Sequence, residues 1–305
     1  MSWRTQRPRL AGGTDVRLGI AGLVVMLALG GCSSGSDDPQ GADDSTREPS
    51  AEVGGGVEPG SNQPGALTLL PGRPAGTVLT SGGQFSVSGD TNVLVDVAQL
   101  SGGEVRVARG PDEALPTALT YPPYRASGAY PRAVLTLTPT SGDALSPGGV
   151  DFEYGAVFRL DATSSGRVDD NGDNVFQRGL SGDMSQLKLE VDHGRPSCKI
   201  HGESGEVTVR AEAKINRGDW YEVRCSRTGD EVSVGVAPYG GGAATLKTAS
   251  GATGDIDFSP VQLASVGGKL NKAGDIVTHA SDQFNGAIAK VWIDRSPATA
   301  TPDGG

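Results

Sequence analysis

The 305-residue chain has little of what most catalytic and metal-binding sites are made from: three cysteines, three histidines and only six Phe, six Tyr and three Trp. His193, His201 and His279 are scattered, and each reads as a polar turn or strand-end residue, not as a base or ligand. No HExxH, P-loop or GxGxxG pattern occurs, and no CxxC pair offers zinc a half-site. Clustered Lys and Arg are also missing. With 26 basic against 36 acidic residues and a net charge of −10, the chain has no patch with which to neutralise phosphates. Nucleic-acid binding is excluded on that ground. Finally, no segment carries an apolar stripe of helical period, and 47 glycines and 19 prolines disfavour long helices.

What is present begins with an export signal. Arg4, Arg7, Arg9 and Arg17 precede the apolar run Leu18–Gly31, which is shorter than the roughly 20 residues of a spanning helix. The run ends in Leu29-Gly30-Gly31-Cys32, which resembles a bacterial lipobox, where the cysteine is acylated and becomes the mature N-terminus. An uncleaved anchor and ordinary cleavage near Gly31 are the alternatives. On the lipoprotein reading, residues 1–31 are the signal peptide and Cys32 is the lipidation site. The chain is then held at the extracytoplasmic face of the cell membrane, stably once two or three acyl chains are attached. The sole GxSxG match, Gly31 to Gly35, falls across this junction instead of on a strand–helix elbow.

Residues 32–75 are rich in Ser, Asp, Gly and Pro, with almost no large apolar side chain before Leu67. Such a tract cannot offset the entropy of folding, and it reads as a disordered tether with a reach on the order of 35 Å. Residues 296–305 read as a second, shorter tail.

From 76 to 295, with a core at about 90–294, apolar residues recur at every second position between Gly/Asn/Asp turns. Phe152, Tyr154, Ala156, Phe158 and Leu160 alternate with Glu153, Gly155, Val157 and Arg159. Leu187–Val191, Val207–Ala211 and Val232–Val236 repeat the pattern. This period marks strands with one buried face, and the fold class is all-β: an antiparallel β-sandwich of roughly a dozen strands. With Cys32 assigned to lipid, Cys198 and Cys225 remain as an even pair in an oxidising compartment, a candidate disulfide. Two unpaired core thiols are the alternative.

The ordered series DFEYGAVFRLDA, DNVFQRG, SQLKLEVDHGRPSCKIHG, GDWYEVRC, SVGGKL and DQFNGAIAKVWID resembles laminin-G-like domains of the concanavalin A-like jelly-roll superfamily. The resemblance covers about Asp90 to Asp294. It implies that Trp220 packs at the sandwich edge and that Cys225 pairs with the cysteine one hairpin earlier, Cys198. It also implies that Phe284-Asn285-Gly286 is the Phe-x-Gly segment of the closing strand. Such domains bind glycans, proteins or steroids at rim loops, sometimes with calcium, and the fold does not choose among these. The superfamily also contains glycoside hydrolases with ExDxE-type strands. Glu190-Val191-Asp192-His193-Gly194 lacks the second Glu, and Asp255-Ile256-Asp257 lacks both, so the expectation is no enzyme.

The leading function is therefore a membrane-anchored binding module for a glycan or a protein. A structural envelope protein packing against a partner chain is the alternative, and a divergent hydrolase a more distant one. One loop is a candidate for Ca²⁺: Asp169, Asn171 and Asp173 offer oxygen ligands, although position six is Asn174 and position twelve Leu180, unlike an EF-hand. Such acidic turns also occur simply because they turn well, and carboxylates on an exposed turn contribute little stability. The loop before Phe284, with Asp282 and Gln283, is a second rim candidate. Tyr121, Tyr124, Tyr130 and Tyr239 are the aromatic candidates for sugar contact, with ordinary loop packing as the alternative.

The export reading has a direct test. Cys32→Ser should move the protein from the membrane fraction to the soluble exported fraction, or leave an uncleaved precursor. Unchanged fractionation with normal cleavage contradicts an acyl anchor.

Overall fold

The computed structural model describes residues 66–80, 85–89, 92–123, 130–141, 145–161, 172–259, 261–277 and 282–295. The leader with Cys32, residues 32–65 and the tail at 296–305 lie outside them. The described residues fall within one unit, Glu58–Gly305. They form sixteen strands. These are β1 (Ala66–Leu70), β2 (Ser86–Gly89), β3 (Asn92–Leu100), β4 (Arg106–Arg109), β5 (Thr117–Thr120), β6 (Arg132–Ser141), β7 (Phe152–Leu160) and β8 (Gly172–Arg178), then β9 (Gln186–Asp192), β10 (Arg195–Gly202), β11 (Gly205–Arg210), β12 (Trp220–Thr228), β13 (Glu231–Pro238), β14 (Thr245–Ser250), β15 (Ala264–Val266) and β16 (Gly286–Asp294).

Two antiparallel sheets result. Sheet A runs β14-β13-β12-β7-β16-β1-β2, with β5 also on β16 and β4 on β5. Sheet B runs β11-β10-β9-β8-β15-β6-β3. The alternation read from sequence supplies the layer between them. Phe152, Tyr154, Ala156, Phe158 and Leu160 of β7 are all buried and pack with Phe176, Leu187, Leu189, Val191 and Ile200 of sheet B. The hydroxyl of Tyr154 crosses this layer to the carbonyls of Lys188 and Lys199, both at 3.1 Å, so its polar end is satisfied where burial would penalise it. Burial also pushes this hydroxyl well above its ordinary pKa.

Two expectations change. The tether boundary at 75 is too late: β1 pairs with β16 from Ala66↔Asp294 to Leu69↔Val291, and Leu67 and Leu69 are buried core residues. The few apolar residues at 67–70 suffice because they complete an existing sheet and need no core of their own. Second, the alternation assigns Gly155 and Val157 to solvent, yet both are buried. The Trp292 ring lies over Gly155, where an added Cβ would come within 2.5 Å of it. Val157 packs with Ala118, Ala287, Ala289 and Trp292, a small second layer on the outer face of sheet A.

The hairpins explain the registers. His193 (φ 51°) and Gly194 (φ 79°) form the two-residue turn between β9 and β10, the left-handed pair that matches strand twist. Gly229 (φ 56°) with Asp230 turns β12 into β13.

Cys198 of sheet B and Cys225 of sheet A are joined, with Cα atoms 5.6 Å apart and a sequence separation of 27. The bond crosses the buried layer and ties the sheets together. Closing a loop of that length is worth about 3–4 kcal/mol in the chain-entropy account. The Cys198→Ala/Cys225→Ala double variant should therefore lose about that much, a fall of roughly 10 °C in Tm, by calorimetry. An unchanged midpoint contradicts the staple's role.

Candidate ligand-binding site

Sheet B carries a pocket of about 380 Å³ on its outer face, near the end where β8 leaves and β15 begins. Gln177 of β8 and Ser265 of β15 are register partners and form its floor. The walls come from the Gly179–Ser185 turn, the Ser259–Leu263 segment and Leu270–Lys272.

Each wall is fixed by its own hydrogen bonds. Gln177 Nε2 and Gln186 Nε2 both donate to the Gly179 carbonyl, at 2.7 and 3.2 Å. Asp183 Oδ2 accepts from the Leu180 N–H and from Gln262 Nε2, each at 2.8 Å, which couples two walls. Its Oδ1 meets Lys272 Nζ at 2.8 Å, which ties in the third. Asn271 Oδ1 accepts from the Ala273 and Asp275 N–H groups and holds that turn. Burial acts to raise the Asp183 carboxyl, but the bonds from Lys272, Leu180 and Gln262 prevail and hold it below the ordinary carboxylate value. Over these polar groups stand Met184, 79% exposed, and Val261, 82% exposed. A concave site with convergent polar groups and an uncovered apolar mouth is built to take a ligand.

Two buried arginines stiffen this end of the sandwich. Arg178 is fully buried, donates to the Gln262 carbonyl at 3.2 Å and lies 4.5 Å from the Phe258 ring centroid. Arg227 is also buried and donates to Thr253 Oγ1 and to the carbonyls of Gly254, Gly148 and Val150. Burial lowers its pKa, while Asp151, Asp255 and Asp230 act to raise it.

The residues expected at the rim divide. Cys198 and Cys225 pair as stated. Asp169 and Asn171 lie outside the described residues, as do Tyr124 and His279. Asp173 is not on an exposed turn. It sits within β8, 1% exposed, and accepts the Asn285 N–H at 3.0 Å, joining β8 to the start of β16. Among the described residues no three His, Cys, Asp or Glu side chains gather as a cation site. Asp282 and Gln283 are not rim groups either: both are buried, and Gln283 Nε2 donates to the Ala133, Gly267 and Phe284 carbonyls. A strap that closes the fold therefore occupies the position read as a binding loop.

Tyr121 and Tyr130 are likewise buried, the former reaching the Val266 carbonyl at 3.2 Å. Tyr239 remains half-exposed. His193 is the turn residue described above, and His201 is half-buried in β10. Glu190 forms an ion pair with Lys188 and Asp192 with Arg210, and the Asp192 carboxylate also meets His193 Nδ1. The pocket itself was missed because Asp183, Gln262 and Lys272 are far apart in sequence and each sits in an ordinary-looking polar turn.

Residues 175–299 match the model of the laminin G domain. Over these residues the sandwich is laminin-G-like. The match runs from β8 through β16, whereas β7, which pairs with both β12 and β16, precedes it. No curated protein matches the chain in sequence. Solved structures resemble the laminin-G-like domain more distantly. The LG1-3 region of the laminin alpha2 chain is 19% identical with a TM-score of 0.42, over 56% of this chain and 32% of that one. Domain 4 of AbnA, a GH43 arabinanase from Geobacillus stearothermophilus solved with arabinotriose, is 13% identical at TM-score 0.45, covering 68% and 84%. Botulinum neurotoxin type C, whose passage into cells depends on two ganglioside molecules, is 13% identical at 0.47, covering 76% and 48%. The chain thus spans about a third of the laminin fragment and half of the toxin fragment. None of these likenesses bears on what the laminin-G-like domain here binds.

Two outcomes follow. Asp173→Ala removes a buried acceptor and should destabilise the protein by about 1–3 kcal/mol with or without calcium, in a chemical melt. A neutral effect contradicts its structural placement. Because the folded pKa of Asp183 lies below its ordinary 3.8, its stabilising contribution is present above that value and lost as pH falls through the folded midpoint. Carboxyl NMR titration should find a midpoint under 3.8 that rises in Lys272→Met.

Proposed function

We propose that the chain is a non-catalytic recognition module, held at the extracytoplasmic face of a bacterial membrane by lipid on Cys32, that binds a glycan or protein ligand. The pocket between Gly179–Ser185, Ser259–Leu263 and Leu270–Lys272 is the observation that carries this reading. Its polar groups are already bonded into place, so a ligand meets a preformed surface and little ordering entropy is spent. The export signal and the disulfide, a bond that persists in oxidising compartments, support the location. The non-catalytic reading is supported by the ion pairs that engage Glu190 and Asp192, the nearest approach to a hydrolase motif.

The structural alternative has an observation of its own. Strand β14 is an uncovered edge of sheet A on which only Ala249 is partly buried, and it carries Leu246, 70% exposed. Edges of this kind pair with other chains.

The test uses the mature exported chain against a glycan array and a panel of envelope proteins. Met184→Asp/Val261→Asp should reduce binding to the captured ligand at least tenfold with Tm unchanged, because both side chains are mainly in solvent. Capture of an envelope protein that survives this change but is lost in Leu246→Asp supports the structural alternative. Absence of any captured glycan or protein contradicts the recognition reading.

A further inference from the structure

At the opposite end of the sandwich, where β7 ends and β12 begins, a second groove of about 560 Å³ opens on sheet A. Pro111, Asp112, Asn216, Asp219, Trp220 and Tyr239 line it. Most aromatic rings of the described residues are spent on packing. The phenylalanines of β7 and β8, Phe258, Phe284, Tyr121, Tyr130, Tyr154, Tyr221 and Trp292 are all buried. Phe85, Trp220 and Tyr239 keep open surface, and of these only Trp220 and Tyr239 are neighbours.

Their adjacency is set by the hairpin. Tyr221 pairs with Pro238, and the next step outward brings the Tyr239 N–H to the Trp220 carbonyl at 2.9 Å. Directly opposed residues project from one sheet face with Cβ atoms about 5 Å apart. Trp220 is in turn the register partner of Arg159, whose guanidinium lies 5.3 Å from the indole centroid. The outer face of sheet A therefore presents Tyr239, Trp220 and Arg159 in one row across three strands. The row is held in place: the Tyr239 hydroxyl donates to Asp112 Oδ1 at 3.3 Å. That same oxygen accepts the Ala114 and Leu115 N–H groups at 2.9 Å, so the loop and the ring fix each other. On the other side, the Asn216 N–H donates to the Tyr221 hydroxyl at 3.1 Å, and Asn216 Nδ2 to Asp219 Oδ2 at 3.3 Å.

We infer that the Trp220–Tyr239 row, bordered by Asp112, Asn216, Asp219 and Arg159, is a binding site for the pyranose units of an uncharged oligosaccharide. The apolar C–H face of a pyranose covers an aromatic ring, and its hydroxyls need paired donors and acceptors around the rim. Carboxylates accept from hydroxyls, while the amide and guanidinium donate to them. The charge of the groove sets the class: Asp112 and Asp219 are the charged residues of its lining, Arg159 stands beside it over Trp220, and the protein is acidic overall. Sulfated and carboxylated sugars are repelled, and neutral ones are not. The inference rests on the recognition reading and assigns a ligand class within it, at a place separate from the sheet B pocket.

The mature chain, titrated calorimetrically with gluco-, galacto- and manno-oligosaccharides of three to six units and with sulfated counterparts, tests it. At least one neutral series should bind and the sulfated series should not. Trp220→Ala and Tyr239→Ala should each weaken binding at least tenfold, Trp220→Phe and Tyr239→Phe less so, and Val150→Ser, at an exposed residue outside both grooves, not at all. The two phenylalanine variants keep an aromatic ring against the sheet, so loss through misfolding is distinguished by their melting curves. If no neutral oligosaccharide binds, or if Trp220→Ala and Tyr239→Ala bind as tightly as the parent chain, the inference is overturned. The broader recognition reading falls only if the array and the protein panel are also empty.

Discussion

Two sheets that share one apolar layer must be kept in register, because each rim loop begins where a strand of that layer ends. Strand β7 is the centre of this constraint. It pairs with β12 on one side and β16 on the other, and it sends Phe152, Tyr154, Phe158 and Leu160 toward sheet B. The Cys198–Cys225 bond crosses the layer one strand away, and the Tyr154 hydroxyl reaches the β9–β10 pair beside it. A covalent bond, stacked rings and a satisfied buried hydroxyl act at one location. The ends of β8, β12, β13 and β15, which border the pocket and the groove, inherit their positions from it.

Both ends of the sandwich hold their loops with carboxyl and amide groups, and the pocket end adds two buried arginines to Asp183, Gln177 and Asn271. Arg227 gathers carbonyls from two separate loops, and Arg178 anchors the segment carrying Gln262. A long cationic side chain with several donors can satisfy backbone groups that no strand reaches, which a hydrophobic residue cannot. At the other end carboxyl and amide groups take that part. Asp173 receives the Asn285 N–H, Asp112 receives two N–H groups and Tyr239, and Gln283 reaches three carbonyls. Acidic and amide residues near the strand ends therefore serve first as backbone partners, and only those left at the surface can serve a ligand.

That distinction explains how much was legible in the sequence. The period-2 runs of β9, β11 and β13 report one buried face directly, that of β7 only its inner face because Gly155 and Val157 are buried on the other, and the cysteine pair follows from the export reading and number. The hairpin register was legible too: Gly229-Asp230 is a two-residue turn, and counting outward from it places Trp220 opposite Tyr239. Burial of polar residues left no such signal. Asp173 looks like one more carboxylate in an acidic turn, and Gln283 like an ordinary loop amide, because a side chain that satisfies a buried backbone group has the same letter as one that faces solvent. Strand β1 was obscure for another reason: its few apolar residues follow a long polar tract and gain a core only by docking on β16.

On the proposed reading, a rigid, stapled sandwich presents ligand groups at its ends without rearranging. Indole N–H signals provide the most direct check, since Trp220 lies in the groove while Trp292 Nε1 donates to Glu153 at 2.9 Å on the same sheet. During titration of the mature chain with the neutral oligosaccharide that binds, the account predicts that the Trp220 indole resonance shifts progressively. The Trp292 resonance and the core amides of β7, β9 and β12 should stay in place. A stationary Trp220 signal, or shifts spread through the core strands, would contradict it.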